Sequence, residues 1–154
     1  MGERLVKRLG CQGTSRRFPS NYAYFDMLTP DFGLLAPYDV IYLCAAHNGS
    51  KSCEGNQDSW RVNVDSPIDI ALNCKSSFIV WFSSLSIEWL DGAYQRQKRQ
   101  TEAVLRLMPN VSIIRPGRIL NSNVEELVDL VLLVSRSKTK GVTRWGTDGI
   151  PHQK

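Results

Sequence analysis

The chain has no CxxC pair and only two histidines among its 154 residues, which removes zinc ribbons and histidine-rich metal centres from consideration. Its four cysteines, Cys11, Cys44, Cys53 and Cys74, are dispersed, and two lie inside or beside apolar runs where a thiol acts as a small hydrophobe. No metal site is expected, and a reduced, cytoplasmic protein is. No apolar leader follows Met1-Gly2-Glu3-Arg4, so no secretory signal is expected, and the sequons at Asn48 and Asn110 read as chance. The apolar stretch Leu127 to Val134 is interrupted by Asp129 and is too short to span a bilayer. Internal repeats are absent as well. The net charge of +4 is scattered rather than gathered into a stripe with interleaved aromatics, so neither nucleic acid nor membrane is expected as a partner.

What is there is an ordinary globular composition, 42% apolar and 22% charged, at a length that suits one domain. Strands and helices alternate. A helix is expected over 3–9, short strands at 11–15 and 22–25, and a helix start at Thr29-Pro30-Asp31, with Thr29 as the cap. Val40 to Cys44 is a continuous apolar run, as in a strand buried on both faces. A helix over 57–74 should break near Pro67. Then come a strand at 78–82, a helix over 93–107, a strand at 111–115 and an amphipathic helix over 124–135. The tail from Lys138 to Lys154 shows no clear period. This order calls for a parallel α/β sheet.

The chemistry concentrates between Phe78 and Gly117. The strand Phe78–Phe82 ends in Ser83-Ser84, and Arg115-Pro116-Gly117 ends the next strand; open parallel sheets bind ligands at such carboxyl ends. Tyr94 and Lys98 stand at i and i+4 on one helix face. An ammonium near a phenol favours the phenolate and should lower the Tyr94 pKa towards the range of a general acid/base. A serine hydroxyl would orient a substrate oxygen while a nicotinamide moves the hydride. Each residue also has a plainer reading: Ser83-Ser84 as a turn, Tyr94 and Lys98 as an exposed helix face, Asp26 as a turn residue, Arg16-Arg17 as a solvated pair. His47 and His152 read as surface residues, and most Trp and Phe as core.

Taken in order, these residues resemble the extended short-chain dehydrogenase/reductases that act on nucleotide sugars, nearest the epimerase, dehydratase and dTDP-4-dehydrorhamnose reductase branches. Gly2 to Leu9 is similar to the helix that starts at the last glycine of the cofactor fingerprint. Thr14-Ser15-Arg16-Arg17 looks like the end of the second strand, where members select the adenosine ribose. Asp26-Met27 matches the pair that contacts adenine, and Leu43-Cys44-Ala45-Ala46 the small-residue turn over the cofactor. Trp60 to Val64 resembles the segment whose asparagine, here Asn63, braces the active site.

The resemblance implies a Rossmann-like doubly wound parallel sheet lacking its first strand. It also implies a catalytic set of Ser84, Tyr94, Lys98 and Asn63. Cofactor contacts would come from Gly2, Arg16, Arg17, Asp26, Met27, Ala45, Ala46, Lys98, Pro116 and Gly117. Arginines at 16 and 17 favour NADP over NAD, because a guanidinium accommodates a 2′-phosphate where a carboxylate would bind the 2′-hydroxyl. Residues 1–137 are expected to form an incomplete NAD(P)-binding domain and 138–154 a remnant of the substrate-binding region. The substrate would be a nucleotide sugar and the protein a homodimer. The sequence departs from the family pattern in holding only Gly2 of the glycine-rich turn, which points to an N-terminal truncation. The alternative is a non-catalytic relic, an interaction module or a gene fragment.

Overall fold

The computed structural model describes residues 1–17 and 21–146. His152 and the rest of 147–154 lie outside the described residues. The main sheet has four parallel strands in the order β3 (Val40–Leu43), β4 (Phe78–Phe82), β5 (Val111–Pro116) and β6 (Gly141–Trp145). A separate parallel pair joins β1 (Thr14–Ser15) to β2 (Ala23–Tyr24). The architecture is the doubly wound parallel α/β sheet expected from the sequence.

β4 shows why. All five of its residues are buried, and successive side chains leave a strand on opposite faces. Ile79 and Trp81 enter one core with Ile41, Leu43 and Ile113, covered by Ile70 and Ala71 of α5 (Ser66–Asn73). Phe78, Val80 and Phe82 enter the other with Leu5 of α1 (Gly2–Leu9) and Leu127, Val128 and Val131 of α7 (Val124–Ser137). A strand clothed by helices on both faces reads as a continuous apolar run rather than an alternating one.

Three expectations are corrected, and the expected break near Pro67 is found. The strands near residues 11–15 and 22–25 shrink to two residues each. The helix start near residue 30 is capped by Asp31, not Thr29: its carboxylate accepts from the Gly33 and Leu34 amides at 2.9 and 3.2 Å, and α2 (Phe32–Leu35) is a single turn. The 138–154 stretch, without a visible period, supplies β6, which pairs with β5 along five residues. The helix over 57–74 is interrupted as Pro67 requires, but by a π turn. It runs as α4 (Gln57–Trp60), a π turn (Arg61–Asp65) and α5. Proline cannot donate to the carbonyl four residues back, that of Asn63, and the Thr101 hydroxyl donates to it instead at 2.6 Å.

Between the β1–β2 pair and the free edge of β3 lies an apolar cavity of about 250 Å³, walled by residues that include Leu5, Thr14, Met27 and Leu43. It sits where the resemblance places a first strand. Because β4 carries both cores, Ile79→Ala should lower stability by about 2–5 kcal/mol in urea unfolding. A loss under 1 kcal/mol would mean that β4 is not the central buried strand.

Candidate active site at the carboxyl end of the sheet

The ends of β4 and β5 and the inner face of α6 (Ala93–Leu105) enclose a cavity of about 280 Å³ whose walls include Ala46, Ser84, Tyr94, Lys98, Pro116 and Gly117. Six of the residues singled out from the sequence, drawn from four segments of the chain, are thus brought to one place. Asn63 stands behind it, 1% exposed. Its side-chain amide donates to the His47 carbonyl and to Gln97 Oε1, both at 2.8 Å, and its Oδ1 accepts from the His47 amide. It therefore ties the loop after β3 to α6 rather than facing the cavity.

The remaining residues lie elsewhere. Gly2, Met27 and Ala45 line the neighbouring apolar cavity, which shares Cys44 as a wall with the first. Arg16 is exposed, 4.0 Å from the Asp26 carboxylate. Arg17 donates its amide to Ser15 Oγ at 3.0 Å, and Asp26 accepts from the Leu28 amide at 2.9 Å, closing the turn after β2.

Lys98 is 2% exposed and donates to the Phe82 carbonyl at 2.7 Å; its Nζ lies 4.5 Å from the Trp81 ring centre and 5.7 Å from that of Tyr94. Burial strips water from the ammonium and lowers its pKa to about 7. Tyr94 moves the other way: burial raises its phenol to about 12. The expectation that Lys98 lowers the Tyr94 pKa is thereby corrected, since desolvation prevails. Near neutral pH Tyr94 holds its proton and can give it up only to a strongly basic oxygen.

Sequence reasoning missed the ion pair beside the site. Glu102, one turn beyond Lys98 and 2% exposed, pairs with Arg115 of β5 through both of its oxygens, and Ser83 Oγ donates to it at 2.9 Å. Arg115 reaches on to Glu88 at 2.8 Å, which also meets Arg144 of β6 at 2.8 Å. The one sequence signal was Glu102 at i+4 from Lys98, a spacing that puts both on the same helix face. This pair occupies Ser83, leaving Ser84 as the cavity hydroxyl. Among the described residues no cluster of three or more His, Cys, Asp or Glu could hold a metal ion, and no helix is long and apolar enough to cross a membrane.

The residues present fit the nicotinamide half of a dinucleotide: Ala46 and Gly117 leave room, and Ser84, Tyr94 and Lys98 offer polar hydrogens. For the pyrophosphate there is the start of α1 at Gly2.

The pH dependence of stability follows from the buried amine. Lys98 binds a proton more weakly folded than unfolded, so stability is lost as pH falls towards about 7 and gained as it rises above. Cys44, raised by burial to about 12, acts oppositely above its ordinary value of 9.0. Urea unfolding should show stability climbing between pH 7 and 9, levelling, and falling above about pH 10, where Tyr94 and Cys44 stay protonated in the folded chain alone. Lys98→Met should flatten the climb; an unchanged climb in that variant would assign it to another group.

No family model matches the chain, and neither does any curated protein. Solved structures do. One is an NAD-dependent NDP-hexosamine 5,6-dehydratase involved in tunicamycin biosynthesis, 15% identical with a TM-score of 0.77 over 95% of this chain and 72% of that one. A UDP-N-acetylglucosamine 4-epimerase from Bacillus cereus is 17% identical, TM-score 0.68, over 94% and 71%. A short-chain dehydrogenase from Streptomyces avermitilis is 14% identical, TM-score 0.67, over 96% and 84%. What the chain shares with these proteins is the fold, a Rossmann-like, doubly wound parallel α/β sheet.

Proposed function

We propose that the chain is an NADP-preferring oxidoreductase of the short-chain type, acting on a nucleotide sugar through Ser84, Tyr94 and Lys98. The observation that carries this reading is the convergence of the three side chains on one cavity at the carboxyl end of a parallel sheet. Nucleotide sugars are the substrates named for two of the proteins that share the fold. The nicotinamide would supply the hydride. Ser84 would donate a hydrogen bond to the substrate carbonyl oxygen, and Tyr94 would pass its proton to that oxygen as negative charge develops there. Lys98 would hold the nicotinamide ribose through the amine hydrogens that the Phe82 carbonyl leaves free. Asn63 would keep the His47 loop and α6 in register. Tyr94 keeps its proton near neutral pH and would enter the reductive direction in the protonated form it needs.

Tyr94→Phe should abolish NADPH-dependent reduction of a 4-keto nucleotide sugar while leaving NADPH binding, followed by fluorescence, within about twofold. Equal turnover in the variant would remove Tyr94 from the chemistry. Arg16 and Arg17, both exposed at the end of β1, would receive the 2′-phosphate. The double alanine variant should weaken NADPH about tenfold, the worth of one charge-assisted phosphate contact, and leave NADH binding unchanged. Equal weakening for both cofactors would argue against a phosphate site.

The split sheet favours a second reading, a non-catalytic module with the same fold. That reading requires no saturable NADPH binding at millimolar concentration; saturation would exclude it.

A further inference from the structure

Ser84 does not stand alone in the cavity wall. Ser50, at the start of α3 (Ser50–Cys53), donates its hydroxyl to Gln95 Oε1 at 2.7 Å. Gln95, 7% exposed on α6, donates its amide to Ser86 Oγ at 3.2 Å. Ser86 Oγ lies 2.8 Å from Ser84 Oγ, and the Ser86 amide donates to Ser84 Oγ at 3.2 Å as the cap of the 3-10 turn Leu85–Glu88. Three separate segments thus feed hydrogen bonds towards one hydroxyl. Gly92 leaves room for the chain to pass: a Cβ there would collide with Ser50 and come within 2.8 Å of Gln95 Oε1.

A hydroxyl has one proton to give and two lone pairs to receive. With Gln95 Oε1 occupied by Ser50, the other end of the amide is a donor, so Ser86 Oγ receives from it and turns its own proton elsewhere. The acceptor within reach is Ser84 Oγ, which also takes the Ser86 amide. Both lone pairs of Ser84 are then used, and its proton has no protein partner along this chain.

We propose that Ser50, Gln95 and Ser86 are positioning residues that set the polarity of Ser84, making it a donor that cannot accept, directed into the cavity. The inference rests on the catalytic reading of Ser84 and adds what that reading leaves open, namely which way the hydroxyl points and why. A donor-only Ser84 selects a substrate oxygen rich in lone pairs, a carbonyl or its alkoxide, and gives no acceptor to a substrate alcohol. The site is thus tuned to the ketone partner of a ketone–alcohol pair. No covalent step is added: the proton of Ser84 stays on Ser84, and the proton transferred to the substrate comes from Tyr94.

Neutron diffraction from deuterium-exchanged crystals of the unaltered chain tests the proposal directly. The expected map has the Ser86 deuteron on the line to Ser84 Oγ and the Ser84 deuteron directed into the cavity. A Ser84 deuteron on the line to Ser86, or Gln95 with its oxygen towards Ser86, would overturn it. A kinetic pair adds a signature that a purely structural role would not produce. In Gln95→Glu the carboxylate can only accept, so Ser86 should turn to it and Ser84 to Ser86; kcat for a 4-keto nucleotide sugar should fall roughly 100-fold, the cost of one lost oxyanion donor, with KM little changed. Adding Ser86→Ala removes the competing acceptor and should restore most of that loss, whereas further loss in the double variant would contradict the relay. No turnover in the unaltered chain would count against the catalytic reading alone, because the deuteron positions decide the relay in either case.

Discussion

The organising constraint is that α6 turns a polar face inward. Gln95, Gln97, Lys98, Thr101 and Glu102 are each 7% exposed or less, and a buried polar group left without a partner costs about 1–3 kcal/mol. Every one is satisfied by a partner outside α6. Gln95 meets α3 and the turn after β4, and Gln97 meets Ser59 of α4 and Asn63 of the π turn. Lys98 meets the end of β4, Thr101 the carbonyl freed by Pro67, and Glu102 meets Ser83 and Arg115. The helix is therefore held in one rotation and one height against the sheet. That rotation decides which side chains reach the cavity.

The same constraint explains how two residues four apart acquire opposite behaviour. Lys98 lies deeper, against the Phe82 carbonyl and the Trp81 ring, and loses the hydration that makes an amine basic. Tyr94 lies one turn nearer the cavity mouth and loses the hydration that makes a phenol acidic. Desolvation thus leaves a weakly basic amine beside a phenol that keeps its proton near neutral pH.

Legibility in the sequence followed burial. β4, β5 and α7 declared themselves because their apolar runs and periods are dictated by two-sided or one-sided cores. β6 did not, since Gly141–Trp145 is an edge strand with no fully buried residue and hence no pattern to read. The short β1 and β2 likewise depend on each other more than on the core. Asp31 rather than Thr29 is the cap because α2 begins at Phe32, and the cap is the residue just before the helix. Of the candidate site, Tyr94 and Lys98 were visible from spacing and Ser84 from the family resemblance. Glu102, Gln95 and Ser50 were not, since partners distant in sequence become neighbours only when α6 is laid against the sheet.

What remains at stake is whether the cavity beside Lys98 receives a nicotinamide. A crystal structure of the chain with NADP+ at millimolar concentration decides it most directly. The nicotinamide ribose should lie within hydrogen-bond distance of Lys98 Nζ, with the ring between Tyr94 and the Pro116–Gly117 turn. A cavity that stays empty, or a dinucleotide bound away from Lys98, would contradict the account.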